Sequence, residues 1–336
     1  SQKWIWRVSP RPNRKGEQIN MHSRFQSEFS QSLASFMSDY SASGLYAPVN
    51  YLLGLSGKQI RPVLTLSVCN AEGAQISKAM PAAIAVELFH NFTLMHDDIM
   101  DNAPLRRGSE TVHIKFSENA SILSGDVMFS LSSRSIEDIA ADHLPAALKL
   151  FNATAREVCE GQQLDMEFET TEGVSVDQYF EMIRKKTSVL LAASCSLGAI
   201  CAGVDSDKVD LWYEFGLNLG LAFQIQDDYL DTFGDSNNTG KQIGGDILSD
   251  KKTFLYIHTI AESGAEAFVN AKTMQDEDRV RSVIATMLDA GADIAARNLM
   301  NEYSSKALNA LRALDLEEVH HIGFEDLLSS VTDRIS

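Results

Sequence analysis

The sequence predicts an all-α protein, a single-domain bundle of ten or more helices around a central cleft. Three observations lead there. Only seven prolines and twenty glycines interrupt 336 residues, so long unbroken helices are permitted. No run of strict apolar–polar alternation is flanked by hairpin turns, so strand signals are scarce. Two acidic clusters of identical spacing, Asp97-Asp98-Ile99-Met100-Asp101 and Asp227-Asp228-Tyr229-Leu230-Asp231, sit in otherwise apolar runs of helix length. Helix bundles build metal and ligand sites from facing helices in just this way.

Residues 1–20 differ from the rest, with five Lys/Arg, one Glu, Trp4 and Trp6. They lack the long apolar stretch of a signal peptide. A basic N-terminal arm, a transit-like remnant or appended sequence all fit, and Met21 reads as a natural start. The globular domain then covers 21–336. Residues 24–42 form a first helical pattern, ended by a Ser/Gly segment. The next, 45–72, breaks at Gly54-Leu55-Ser56-Gly57. Pro62 suits the first turn of the following helix, where its missing N–H costs nothing. Lys58 and Arg61 then flank a helix N-terminus, a favourable place for an anion. A helix over 77–103 carries the first acidic cluster and stops at Pro104. Residues 118–142 and 145–168 read as helices, the latter with Gly161-Gln162-Gln163-Leu164-Asp165. Residues 176–203 follow, with Lys185, Lys186 and Thr187 near the middle. The helix over 206–233 carries the second cluster. A Gly-rich segment, 234–245, interrupts the pattern. Helix resumes near Lys252, and 263–336 holds three further segments.

The bulk numbers restrict the chemistry. A formal net charge of −17 disfavours nucleic acid or an anionic membrane as a general partner. Any phosphate site must therefore be built locally, from metal and a few placed cations. No apolar run reaches about 18 residues, so no integral membrane segment is indicated. Cys69, Cys159, Cys195 and Cys201 lack metal-ligand spacing and sit in apolar helical text. They read as buried thiols in a reducing, cytoplasmic setting. His320 and His321 read as a solvated tail.

The acidic clusters carry the function. At about 100° per residue, Asp97 and Asp101 stand one turn apart on one helix face, with Asp98 beside them. Carboxylates this close repel unless positive charge is supplied, and a hard divalent cation such as Mg²⁺ takes oxygen ligands. Arg106, Arg107 and Gly108 follow at once. Carboxylates and guanidiniums held at one helix end suit a metal-bridged polyphosphate. A solvated acidic helix terminus is the plain alternative, and the second copy 130 residues later weighs against it. His90 lies seven residues before Asp97, hence about 20° away in azimuth and about 10 Å down the helix, on the acidic face.

In order along the chain stand GKQIRP at 57–62, DDIMD at 97–101, RRG at 106–108, GQQLD at 161–165, KT at 186–187, FQIQDDYLD at 223–231, GK at 240–241 and an Asp-Lys pattern over 246–251. Together they resemble the trans-isoprenyl diphosphate synthases, the all-α polyprenyl synthetases of the isoprenoid synthase fold. The resemblance covers roughly 45–335. It implies head-to-tail condensation of an allylic diphosphate with isopentenyl diphosphate, assisted by up to three Mg²⁺, with Mn²⁺ as a possible substitute. It implies Asp97, Asp101, Asp227 and Asp231 as metal ligands, with Asp98, Asp228 and Asp165 behind them. Arg106, Lys186, Lys241 and Lys251 match positions on the allylic diphosphate. Lys58, Arg61, His90 and Arg107 match positions on isopentenyl diphosphate. Lys186, Thr187 and Gln224 match catalytic positions, the last two with oxygen dipoles facing the allylic cation. A homodimer is the family habit.

Three departures stand out. Asp250 replaces the usual Gly before the last lysine and Lys252 follows it, although spacing from Asp246 favours Lys251. Glu110 replaces a frequent Pro. The first motif lacks the two-residue insertion of many bacterial farnesyl synthases. Product length should follow from Phe89, Phe92 and Thr93, which lie eight, five and four residues before Asp97. This pattern resembles C20 producers more than C15 ones. Two other readings stay open. A class I terpene cyclase would leave Lys58, Arg61 and Arg107 idle. A non-catalytic regulatory subunit would be expected to lose acidic-motif residues, whereas all six are present.

Overall fold

The computed structural model describes residues 15–40, 42–55, 57–234 and 243–332. They are overwhelmingly helical, as the patterning predicts. The chain divides into two compact units: one holds 15–155 with 193–212, the other 156–192 with 213–332. The divisions fall inside three helices, α7 (Leu144–Thr170), α9 (Val189–Ala202) and α10 (Ser206–Phe233). That is why no linker composition is visible in the sequence.

The first unit contains α1 (Lys15–Met37), α2 (Ala47–Gly54), α3 (Ile60–Ala71), α4 (Met80–Met100), a minimal hairpin of β1 (Leu105–Arg106) and β2 (Ser109–Glu110), α5 (Val112–Lys115) and α6 (Glu118–Ile136). Helix α4 is its centre and packs most extensively on α6. The reason is side-chain size. Ala82, Ala83 and Ala85 of α4 and Ser121, Ser124 and Gly125 of α6 are all buried at small volume, so the backbones approach closely. A Cβ on Gly125 would lie 2.2 Å from His96 Nε2. The buried hydroxyls are satisfied by carbonyls: Ser124 donates to Leu45 O at 2.8 Å and Ser135 to Pro81 O at 2.8 Å, which removes their desolvation penalty. Phe89 and Phe151 are fully buried in this core, where truncation of such a ring to Ala costs about 3–5 kcal/mol.

Helix α4 starts with Pro81 at an N-terminal position that needs no N–H. It ends in a Schellman closure. Asn102 takes a left-handed φ of 51°; its N–H donates to Ile99 O at 3.1 Å, and Ala103 N–H donates to Asp98 O at 3.0 Å. Asn tolerates this backbone better than most residues, and Pro104 prevents continuation. The segment after Pro104 forms the hairpin, with Arg106 opposite Ser109. Its two central residues, Arg107 and Gly108, both have positive φ, 53° and 78°, as a type I′ turn requires.

The second unit contains α8 (Val176–Ile183), a π-helical turn over Arg184–Ser188, α11 (Gly245–Leu248), α12 (Phe254–Ser263), α13 (Glu266–Ala271), α14 (Asp276–Asp289), α15 (Ala292–Ala313) and α16 (Glu318–Thr332). Its core joins Tyr179, Ile225, Tyr229, Phe254, Met287 and Met300, among others. A full capping box opens α8: Gln178 N–H donates to Ser175 Oγ at 3.2 Å, and Ser175 N–H donates to Gln178 Oε1 at 2.9 Å.

Several sequence expectations are corrected. The helix read over 176–203 is split by the π turn. Residues 263–332 hold four helices rather than three, because the short α13 has too few residues to show a periodicity. Helix α6 ends at Ile136, not 142. Cys69, Cys195 and Cys201 are buried, but Cys159 is exposed on α7. His320 and His321 lie half-buried on α16. Helix α1 begins at Lys15, inside the basic segment; Trp4 and Trp6 lie outside the described residues. Among the described residues, no helix is long and apolar enough to cross a membrane.

Candidate functional site

In the first unit, the end of α4 and the hairpin gather the acidic and basic residues. Asp98 is buried, 2% exposed in its side chain, and Arg106 grips it: Nε donates to Oδ1 at 2.9 Å and to Oδ2 at 2.8 Å, and NH2 to Oδ1 at 2.7 Å. The type I′ turn brings Arg106 back onto Asp98. Such a charge-assisted fork holds both groups rigidly. Asp97 is half-exposed and Asp101, the helix cap, is exposed. The outer carboxylates thus face solvent while the middle one braces Arg106.

Arg107 turns the other way. Its NH1 donates to Leu55 O at 3.0 Å, and its guanidinium lies against Gly57, where a Cβ would come within 2.8 Å. A side chain at 57 would displace Arg107, so the glycine of GKQIRP and the second arginine of RRG are physically linked. Arg61, in the first turn of α3, meets His90: NH1 and Nε2 are 3.2 Å apart. The guanidinium can only donate, so Nε2 accepts and His90 carries its proton on Nδ1. Burial, then the charges of Arg61, Arg107 and Arg106, push His90 well below its usual range, so it is neutral at pH 7. Burial lowers Arg61 to about 10, opposed by Glu87 and assisted by Arg107; it stays charged. Its Nε is buried and has no hydrogen-bond partner among the described residues. Lys58 is exposed just ahead of α3.

Beneath Asp97, Phe89 and Phe92 are 5.6 Å apart between centroids. Phe89 meets Phe151 edge-on at 5.6 Å, and Phe92 stacks on Phe129 at 5.3 Å and meets His96 at 4.9 Å. Thr93 donates to His90 O at 2.7 Å, so its hydroxyl is spent on the helix.

In the second unit, the π turn carries Lys186 and Thr187. Two glycines make room for it. A Cβ on Gly161 would lie 2.3 Å from Lys186 N, and one on Gly220 would lie 2.7 Å from Ser188 Cα. Gly161 is the glycine of GQQLD, and the Asp of that motif, Asp165, receives Lys186 Nζ at 2.5 Å. Thr187 Oγ1 donates to Gln224 Oε1 at 3.0 Å, Gln224 Nε2 donates to Asp228 Oδ1 at 2.9 Å, and Tyr179 Oη donates to Asp228 Oδ2 at 2.6 Å. Asp228 is buried and Asp227 exposed. Burial pushes the Asp228 carboxyl up to about 7; Lys251 opposes this, Asp246 adds to it, and the bonds from Tyr179 and Gln224 oppose it. Asp231 is half-exposed, and its Oδ2 accepts the Asp246 N–H at 2.8 Å. Lys251 Nζ lies 3.4 Å from Asp246. Burial works against its charge, yet Asp228, Asp246, Asp165 and Asp227 hold it above the usual lysine range. Lys252 instead donates to its neighbour's carbonyl, Asp250 O, at 3.0 Å. Lys241 lies outside the described residues.

The donor set indicates which ion it suits. Among the described residues, no three His, Cys, Asp or Glu side chains form a ready cage. The outer aspartates of both motifs offer oxygen donors, the kind a hard cation such as Mg²⁺ takes. Sequence reasoning missed Tyr179, Glu87, Phe129 and Phe151. Each reads as ordinary core or helix text, and no local pattern sets it apart.

Comparison with known proteins identifies the family. The polyprenyl synthetase family model matches residues 42–288. The geranylgeranyl pyrophosphate synthase of Geoglobus acetivorans is 37% identical over 287 residues, covering 85% of this chain and 89% of that protein. The geranylfarnesyl diphosphate synthase of Natronomonas pharaonis is 32% identical over 309 residues, covering 86% and 90%. A geranylgeranyl pyrophosphate synthase crystal structure superposes with a TM-score of 0.89 at 42% identity, covering 93% and 98%. The polyprenyl synthase of Caulobacter crescentus CB15, complexed with calcium and isoprenyl diphosphate, does so at 0.83 and 30%, covering 94% and 98%. Fold, ordered motifs and relatives converge: this chain belongs to the polyprenyl synthetase family.

Proposed function

We propose that the chain condenses allylic diphosphates head-to-tail with isopentenyl diphosphate and releases a C20 all-trans product. The observation that carries this reading is the division of labour within each acidic motif. In each, the middle aspartate is buried, while the first and last are half-exposed or exposed. Asp97 with Asp101, and Asp227 with Asp231, would hold Mg²⁺, which supplies Lewis acidity to a departing diphosphate.

The chain's own residues do the rest. Arg106, Lys186 and Lys251 bind and orient the allylic diphosphate, with Lys241 in the same role. As the allylic C–O bond breaks, its electron pair leaves with the diphosphate, and these cations stabilise the growing negative charge. Thr187 and Gln224 turn oxygen dipoles to the allylic cation without attacking it. Lys58, Arg61 and Arg107 bind the second diphosphate, and neutral His90 braces Arg61. The terminal alkene carbon of isopentenyl diphosphate bonds to the allylic carbon. A proton then leaves the carbon next to the diphosphate-bearing one and passes to an oxygen of the released diphosphate. Asp165 holds Lys186 until substrate arrives.

The C20 reading is supported by the Phe89–Phe92 cluster and by the Geoglobus relative; the Natronomonas relative marks the longer alternative. A homodimer and a cytoplasmic location belong to the same reading. Exposed Ile114, Phe116, Ile122 and Leu123 on and beside α5 and α6 support the former, and four free thiols support the latter. The test is incubation with isopentenyl diphosphate, a C5–C15 allylic diphosphate and Mg²⁺, followed by chromatography of the dephosphorylated product. Geranylgeraniol is expected. Absence of elongation, or a cyclic hydrocarbon, refutes the synthase reading. Phe92→Ala with Phe89→Ala should lengthen the product; an unchanged chain removes both rings as the ruler. Light scattering should give twice the monomer mass.

A further inference from the structure

Tyr179 is fully buried on α8, eight residues before Thr187, and belongs to none of the sequence motifs. Its hydroxyl ends a chain of hydrogen bonds that reaches the π turn: Tyr179 Oη to Asp228 Oδ2, 2.6 Å; Gln224 Nε2 to Asp228 Oδ1, 2.9 Å; Thr187 Oγ1 to Gln224 Oε1, 3.0 Å. Direction matters here. An ionised carboxylate can only accept, so the phenolic proton is directed to Asp228. With Oδ2 occupied, Oδ1 takes the Gln224 amide N–H₂. The amide oxygen is thereby turned to Thr187, whose own proton is used in that bond. These bonds leave the lone pairs of Thr187 Oγ1 and the second lone pair of Gln224 Oε1 unused.

We propose that Tyr179 is a positioning residue: acting through Asp228, it fixes the polarity of Gln224 and Thr187 so that oxygens, not N–H or O–H groups, meet the allylic cation. The inference rests on Thr187 and Gln224 facing that cation. A donor turned the other way would raise the energy of the carbocation, so the polarity of the chain affects the ionisation step and not substrate capture. Without the phenol, the buried Asp228 Oδ2 loses its donor, the carboxylate is free to rotate, and nothing holds the Gln224 amide against a flip.

Tyr179→Phe keeps the ring in the core and removes only the hydroxyl. Steady-state kinetics with farnesyl diphosphate, isopentenyl diphosphate and Mg²⁺ should show kcat about 10-fold lower, the scale of one lost buried hydrogen bond, with both KM values within about 2-fold of wild type. Thr187→Val and Gln224→Leu serve as partners in double-mutant cycles. If Tyr179 works through the chain, Y179F adds little to the loss already caused by T187V. A normal kcat in Y179F overturns the proposal, even if its melting temperature falls. So does a kcat loss that recurs in full in the T187V background, because it would reflect general destabilisation. If T187V and Q224L both keep wild-type kcat, the cation-facing role of those two residues fails, and the role of Tyr179 with it. If they lose kcat while Y179F does not, only the role of Tyr179 fails.

Discussion

Asp98 and Asp228 hold the same place in the same five-residue motif, and the fold treats them differently. Both are buried. Asp98 meets a full positive charge, the three-point grip of Arg106. Asp228 meets two neutral donors, Tyr179 and Gln224, with Lys251 acting on it electrostatically. The first arrangement orients a guanidinium that the proposed mechanism needs on a diphosphate. The second orients an amide and a hydroxyl that it needs at a cation. Repetition of DDxxD thus conceals a division: one middle aspartate positions a cation, the other positions oxygens.

The outer aspartates should erase the contrast. Asp97→Ala and Asp227→Ala are each expected to lower kcat by about 10²-fold or more, read in a radiolabelled isopentenyl diphosphate assay. Near-normal turnover in either would remove that motif from the metal reading.

The middle aspartates should sharpen it. Asp98→Asn turns an N–H₂ group towards Arg106 and strands a cation. Breaking a buried pair this way costs about 3–5 kcal/mol; with Arg106 23% exposed, about 2–3 is the expectation after screening. Asp228→Asn keeps neutral hydrogen-bond partners, and the tyrosine hydroxyl can turn to accept. Its cost should be about 1–2 kcal/mol. Urea unfolding of the two variants measures the difference, and equal losses would show that the partner's charge does not matter.

The smallest effect is in pH dependence. The folded-state pKa of Asp228, about 7, lies above its unfolded value of 3.8. Between those values the folded chain binds more protons than the unfolded one, so stability falls as pH rises from about 4 to about 7 and levels off above. Metal-free wild type should therefore lose unfolding midpoint between pH 5 and pH 8 relative to Asp228→Asn, in which that contribution is absent. A wild-type-minus-variant difference that does not change with pH would place the Asp228 pKa in the ordinary carboxylate range.

Much of this was legible in the chain itself. Helical periodicity placed α4, α7 and α10 to within a few residues, because long helices with one buried stripe carry many repeats of the pattern. Both acidic motifs, the RRG motif and the GKQIRP segment were readable as spacing. The π turn was not. It depends on Gly161 and Gly220 lying against Lys186 and Ser188, and these contacts span 25 and 32 residues of sequence. The hairpin after Pro104 was also missed, since two residues per strand show no alternation.

The sequence by itself determined the fold class, the family and the inventory of carboxylates and cations, because periodicity and spacing are local properties that survive without coordinates. Only the tertiary structure decided which of those groups are spent and on what. Asp98 is committed to Arg106, Asp231 accepts an N–H from α11, Arg61 is braced by a neutral His90, and Tyr179 enters the site through Asp228. Burial and hydrogen-bond direction depend on neighbours brought from far along the chain, and no local pattern encodes them.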